Sequence, residues 1–560
     1  MVKSWRDMNE REQMMRRING LKNERAPFTP VYQALSQQLA PANGRFFGET
    51  PNRNVRDYSH IVDATGIEAI ETSVAGLMSI ASNPSQPWIA YTTRDPELDD
   101  YQPVQAWMAD AAAITLDVFA NNNTYTVLPH YYRELLSFAT SSGLLLPHFN
   151  NVVHHYPMTC GEYYLQQNAE GEINTFCREY HMTVAQMVKR FRFDNCSQVV
   201  QSQFKNGDLD FHHHIAHLIE PREDREHGKM DGRNKPWRSV YWEMNHDNEK
   251  LLDDTGFDEF PVVAARWDTV GGDTYGTGPG NRALPHAQRL QIMVKRLARG
   301  IHQQMDPATL WPASMKNREV DTNPGGRSFG DIGNQQGGVR ALHDTRPQLD
   351  HMLSHLQDIR NQVKEAFYSN FFAKVTNDQR NERATATEIN AIKQEAWLML
   401  GPFAQRIFSE LLSPMVQITF KKLFENGAFQ QPPPELYGRE ISVKMVSVLA
   451  RAQEAVGAAA DERLTFQMSQ IAAWSPDVVY SFNSNKWAER YAKKIGADPD
   501  MVVPSEEVAK ILQARDQAQS AQAQTEMMES QSKTVKNLAG APTGGETALT
   551  DVNQAAAAGA

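Results

Sequence analysis

TYGTGPGNRALPHAQRLQIMVKRLARG, residues 274–300, is the stretch whose reading decides how this chain is built. A glycine- and proline-dense loop (Tyr275, Gly276, Thr277, Gly278, Pro279, Gly280) runs directly into a helix. Leu284, Leu290, Met293, Val294, Leu297 and Ile301 recur there at three- and four-residue spacing, the mark of one apolar face. Two mechanisms produce such a loop. Backbone N–H groups at a helix N-terminus can cradle a phosphate. Glycines and a proline can instead form a rigid elbow that fixes where a long helix leaves a domain.

The residues favour the elbow. A Walker loop needs G-x-x-x-x-G-K-[ST], which occurs nowhere in the 560 residues. A dinucleotide fingerprint needs G-x-G-x-x-G after a strand, with an acid about twenty positions on. A strand over Phe260 to Trp267 fits, but the glycines stand at 276, 278 and 280, and Pro279 removes a donor. Arg296 stands near where the acid belongs. No cofactor is therefore expected.

Composition narrows the class. A chain of 560 residues is too long for one core, so several domains follow. No run of eighteen apolar residues appears, so no membrane partner is expected. The N-terminus, MVKSWRDMNEREQMMRRING, is charged throughout and reads as an amphipathic helix instead of a signal. The three cysteines, Cys160, Cys177 and Cys196, are widely spaced and read as reduced thiols. Net charge is −11, from 67 acidic and 56 basic residues. That balance argues against a protein that grips nucleic acid, which needs Lys and Arg to neutralise phosphates. It is compatible with one that lets DNA slide past, for which a basic wall would be a trap.

Along the chain, residues 1–45 read as helical with a break at Pro27 and Pro30. Residues 59–83 read as a helix whose Ala75, Gly76 and Ala81 allow close packing, and a strand starts at Pro87-Trp88-Ile89. Residues 103–142 read as helical. From Leu144 to Trp267 short alternating strands follow, with a hairpin tip at Asn168–Gly171 and a helix at Thr183–Phe191, giving an α+β domain with mostly antiparallel pairing. After the elbow, a helix to about Met305 and another from Arg346 to about Phe372 bracket a Pro/Gly-dense insertion, a stalk with a tip. Residues 373–384 read as an exposed polar loop. Thr385 and Glu388 match a capping box opening the longest helix, to about Asn426, with kinks expected at Pro402 and Pro414. Pro432-Pro433-Pro434 leads to a last helical domain over about 440–500. A Gln/Ala-rich helix starts at Ser505-Glu506-Glu507, and the low-complexity end reads as disordered.

Taken in order, four segments resemble the portal, or head-to-tail connector, proteins of short-tailed bacteriophages. They are Val62-Asp63-Ala64-Thr65 with its small-residue helix and Asn83-Pro84-Ser85-x-Pro87-Trp88; the Tyr275–Gly280 elbow; the stalk–tip–stalk; and Ala384-Thr385-Ala386-Thr387-Glu388-Ile389. The match covers roughly residues 5–430. One departure is Thr277, where many relatives carry a basic residue.

The resemblance implies an α+β, predominantly helical, multidomain subunit that assembles into a ring, usually of twelve copies, at one capsid vertex. Residues 1–280 would be the wing, 281–305 and 345–372 the stem, and 306–344 the clip. Residues 373–384 would be the channel loop, 385–430 a kinked wing helix, and 431–504 the crown. A C-terminal helix or short barrel over 505–538 and a disordered tail over 539–560 would complete it. Implied partners are further copies of the chain, double-stranded DNA in the channel, major capsid and scaffolding proteins, the terminase large subunit and a tail adaptor. Another neck or tail structural protein, an adaptor or ejected internal protein, is the second reading. A nucleotide-dependent enzyme using the 276–280 loop is the third.

Three candidate sites have plainer alternatives. His212, His213, His214 and His217 offer imidazoles for a metal, but His213 faces away from its neighbours on a strand that continues as an ordinary one. His154-His155 is no better placed. No G-x-S-x-G context supports a nucleophile, so no catalytic residue is assigned. Lys374, Arg380 and Arg383 are DNA-channel candidates, balanced by Asp378 and Glu382 in a loop that is equally well read as solvated.

Overall fold

In a computed structural model, the described residues are 8–46, 58–305 with small gaps, 349–377, 401–445, 462–471 and 505–540, with a few short pieces between and after them. The chain divides into two compact units. The first comprises Met1–Arg94, Met108–Pro432 and Tyr437–Leu449, and the second Asp95–Trp107, Pro433–Leu436 and Ala450–Ala560.

The first unit opens with α1 (Glu10–Arg25), started by a capping box in which Asn9 and Glu12 satisfy each other's backbone N–H. Pro27 lies in a single 3-10 turn and Pro30 in the first turn of α2 (Thr29–Gln38), the break expected there. Helix α3 (Thr65–Ala81) starts six residues later than the periodicity alone suggests. Asp63 marks the start: its Oδ1 accepts from Thr65 N, and the residues before it form a turn and a bend. Strand β1 (Ile89–Thr93) is followed in the chain by the short α4 (Pro96–Asp99), which belongs to the second unit, by α5 (Gln102–Asn121), which belongs to the first from Met108 on, and by α6 (Thr124–Phe138).

Helix α6 ends at Ala139, which takes a left-handed conformation, φ 59°. There β2 (Thr140–His148) begins, so residues 140–142 are strand where the sequence reads as helix. No glycine marks that stop. Strand β2 pairs antiparallel with β3 (Val152–Met158) and with β9 (Val262–Arg266), giving the order β3-β2-β9. A five-stranded antiparallel sheet runs in sequence order: β4 (Tyr163–Gln167), β5 (Ile173–Thr183), β6 (His212–Pro221), β7 (Trp237–Glu243) and β8 (Asp253–Phe257). The β4–β5 tip is the expected hairpin, with Asn168 Oδ1 accepting from Glu170 N and Glu172 N and Gly171 at φ 84°. Helix α7 (Val184–Phe191), capped by Thr183 and Gln186, and α8 (Gln198–Asn206) interrupt β5 and β6.

Alternation along the strands sorts the core. Tyr164, Cys177, Ala216, Leu218, Val240 and Trp242 meet Met14, Ile18 and Leu21 of α1. Ile215 and Tyr241 face Val184, Met187 and Phe191 of α7 on the other side. Leu165, Phe176 and Ile219 pack with Leu144 and Val262 of the smaller sheet and with Tyr275. The three cysteines are free and buried, as read.

Two long helices follow, α9 (Pro279–Met305) and α10 (Leu349–Ala366). Arg282 reaches Tyr368 while Arg289 reaches His355, so the pair is antiparallel. Leu290 and Leu297 pack on Leu356 and Ile359, with Met293, Val294 and Met352 alongside. A two-residue ladder, β10 (Thr309–Leu310) with β11 (Arg340–Ala341), lies in the insertion between them.

The second long helix does not run unbroken to Phe372. Tyr368 turns left-handed, φ 58°, and α11 (Ser369–Asn377) begins anew. Residues 373–377 are therefore helix where the sequence reads as loop. Thr385 and Glu388, like Arg380 and Arg383, lie outside the described residues. Near Pro414 the backbone widens into a π turn, Ile407–Leu412, before α12 (Ser413–Glu425). Pro414 has no N–H for the carbonyl of Glu410, and one extra residue in the turn is how a helix absorbs that loss.

A second correction concerns the residues beyond the proline run. Ile441–Met445 is strand β12, paired antiparallel with β1, where the sequence reads as helical. In the second unit, α13 (Ser505–Gly540) is one 36-residue helix, exposed at nearly every described position. Its scarcity of large apolar residues gives it no face to bury.

Candidate functional site: the root of the two-helix stalk

The site is where α9 and α10 leave the sheet-bearing body. Tyr275 is buried beside Phe28 and Tyr32, and its hydroxyl accepts from Leu165 N at 3.1 Å. Burial pushes its phenol pKa up, so it stays a neutral anchor. The next residues spend their N–H groups on the protein itself. Gly276 N donates to Thr140 Oγ1, Thr277 N to the carbonyl of Asp268, and Gly278 N to Asn281 Oδ1. Pro279, which has no N–H, is the first helical residue. Those three donors are not free for a phosphate, which counts against the nucleotide reading.

None of Gly276, Gly278 or Gly280 has a positive φ. They are required by close approach instead. A Cβ on Gly276 would lie 2.3 Å from the carbonyl oxygen of Ala139, and one on Gly280 2.1 Å from that of Ser137. On Gly278 it would meet Ala139 Cβ at 2.9 Å and the Trp267 side chain at 3.2 Å. The elbow thus lies directly on the α6–β2 junction, with left-handed Ala139 beneath it.

A second set of contacts fastens both helices to one short segment. Gln291 of α9 accepts from Val62 N and Asp63 N, at 2.8 and 3.0 Å, and donates to the carbonyl of Asp63 at 2.8 Å. Arg360 of α10 donates from Nε and Nη2 to Asp63 Oδ2, at 2.9 and 2.8 Å. Burial raises the Asp63 pKa. The hydrogen bonds from Thr65 and the pairing with Arg360 outweigh it, and the carboxyl ends below its usual value. Sequence reading had singled out Val62–Thr65 but missed Gln291 and Arg360. They are 228 and 297 positions from Asp63, and a single sequence carries no signal that joins them.

Further contacts lock the far side of the root. Ser73 Oγ donates to the carbonyl of Phe367, at the break between α10 and α11. Gly76 lets α3 meet Phe372 so closely that a Cβ would lie 2.2 Å from its ring. Trp267 stacks on Phe403 and Tyr368, at 4.8 and 6.3 Å between ring centres. Arg266 Nη2 pairs with Glu410 Oε1 at 2.8 Å, and Glu410 sits on the π turn.

The other candidates have ordinary partners. His213 Nε2 lies 2.6 Å from Gln203 Oε1, His214 stacks on His181, and buried His217 stacks on Tyr241 beside Ser239 Oγ. His155 meets Thr124 Oγ1. Lys374 falls on α11, where the sequence reads as loop; Arg380 and Arg383 lie outside the described residues.

Comparison with known proteins places the chain in a family. The family described as "Bacteriophage head to tail connecting protein" matches residues 11–502. The chain is 36% identical over 549 residues to a "Probable portal protein" of Bordetella phage BPP-1, covering 98% of this chain and 99% of that protein. It is 33% identical over 552 residues to the "Portal protein" of Salmonella phage epsilon15, with the same coverage. Among solved structures, the neck of an empty gene transfer agent particle is similar over 82% of this chain and 96% of that one. There the identity is 9% and the TM-score 0.33, too low to define a shared fold.

The chain belongs to the bacteriophage head-to-tail connecting family. Within that family its function is that of a portal protein, a structural component of the virion at the portal vertex.

Proposed function

We propose that copies of this chain form a ring around an axial channel, and that double-stranded DNA enters through it during packaging and leaves through it at infection. The stalk of α9 and α10 is the stem, the insertion between them is the clip that meets the terminase motor and later the tail adaptor, and the sheet-bearing body is the wing. The chain itself performs no chemistry; the work of moving DNA belongs to a separate motor. The observation that carries this reading is the fastening of both stalk helices, through Gln291 and Arg360, to Val62 and Asp63 beside a glycine elbow. It makes each stalk a rigid strut at a fixed angle to its body, which a closed ring of identical subunits requires.

The stem angle belongs to the elbow residues Tyr275, Gly276, Gly278, Pro279 and Gly280. DNA contact belongs to Lys374, Arg380 and Arg383, with Thr385 and Glu388 capping the helix beyond them. Imaging the purified protein by electron cryo-microscopy tests all of this. The expected result is a ring with a central hole and those three cations lining it. A monomer or dimer overturns the portal-ring reading, and cations on the outer wall overturn their assignment to DNA.

A further inference from the structure

Helix α9 is charged on one side only. Its 27 residues hold five Arg and Lys, at 282, 289, 295, 296 and 299, and no Asp or Glu, in a chain whose net charge is −11. All five are exposed. At 3.6 residues per turn, Arg282, Arg289 and Arg296 follow one line, and Arg299 and Lys295 extend it to an arc of about 140°, centred opposite the face where Ala283, Ala287, Leu290 and Leu297 are buried. Among the described residues none of the five has an ion-pair partner; Arg282 and Arg289 touch only Tyr368 and His355.

Helix α10 differs. Its exposed positions include Gln357, Asp358, Asn361, Gln362 and Glu365. Of its two cations, Arg360 is tied to Asp63.

We infer that the basic face of α9 docks on an acidic protein surface of the capsid shell, and that the amide- and carboxylate-bearing face of α10 is the one turned toward DNA. This rests on the ring reading above. Magnitude decides between the faces. Arg282 to Arg299 spans about 25 Å of helix, and that length of duplex carries about 15 phosphate charges. Three copies of the α9 face already match that number, so a full ring of them turned inward would hold DNA by counterion release. A moving polyanion needs the opposite. Amides and a few carboxylates offer no such hold, whereas five unpaired cations suit a partner that stays in place and supplies the missing acid.

The test replaces Lys295, Arg296 and Arg299 by Gln in the full chain. Ring formation is imaged, and incorporation into shells is measured on co-expression with the shell and scaffolding proteins of the same phage. Binding of a 30-bp duplex to purified rings is followed by fluorescence anisotropy across salt concentrations. The expected result is a normal ring, incorporation reduced tenfold or more, and duplex binding within twofold of the parent. Normal incorporation with duplex binding lost would overturn the inference and give the face to DNA. Loss of the ring in the variant alone would give it to the neighbouring subunit. No ring in the parent would instead sink the portal-ring reading.

Discussion

Gly280 and Gly300 lie on the same helix, yet alanine should act on them in opposite directions. At Gly280 the new Cβ falls 2.1 Å from the Ser137 carbonyl oxygen, a backbone atom that can move only with the α6–β2 junction. Overpacking of this kind costs about 1–3 kcal/mol or more. At Gly300 nothing lies within 4 Å, and removing a helical glycine gains up to about 1 kcal/mol. Thermal unfolding of the two variants should show a lower Tm for Gly280→Ala and an equal or higher one for Gly300→Ala. Equal losses would mean that the elbow tolerates a side chain. The Gly-x-Gly-Pro-Gly string was legible as a rigid elbow, but its physical reason was not. Sequence suggests glycines kept for backbone geometry, and the structure gives that geometry as neighbours too near for a methyl group, with no positive φ at any of the three.

At the scale of elements, the stalk root depends on one carboxylate. Asp63 is nearly buried, while Arg360 is partly exposed, so their pairing is worth less than a fully desolvated one. The folded-state pKa of Asp63 is lowered. Its contribution is therefore fully present above the unfolded value of about 3.9 and is lost as pH falls toward the folded one. Asp63→Asn keeps the shape but removes the charge, and should cost about 1–2 kcal/mol at pH 7. The Tm gap between parent and variant should close as pH falls below about 4. A gap that stayed constant with pH would show that Asp63 acts through shape alone. Periodicity gave α9 and α10 and their mutual apolar seam. It did not give the break at Tyr368, where the ring stacks on the distant Trp267; at Ile407–Leu412 Pro414 announced a distortion, but not that it takes the form of a π turn whose Glu410 pairs with Arg266.

The whole molecule turns on a pairing that the linear order hides. Strands β1 and β12 form a two-stranded sheet although over 340 residues separate them, with Ile89 opposite Met445 and Thr93 opposite Ile441. Ile441–Met445 follows a proline run and precedes an alanine-rich stretch, so a single sequence assigns it forward to a helical domain. Its partner strand draws it back into the first unit, which ends at Leu449. Two truncations separate these assignments. A chain ending at 449 keeps β12, and one ending at 439 leaves β1 without its partner and exposes Ile89 and Tyr91, which are buried in the full chain. The first should retain the main cooperative transition of the parent. The second should lower its Tm by at least about 2–4 °C, the shift that ~1 kcal/mol gives in a domain of 150–250 residues. Limited proteolysis should then cut the second chain, and not the first, near residues 89–93. Identical melting of the two would return Ile441–Met445 to the C-terminal part, and the body of the subunit would end near Glu425, where α12 stops.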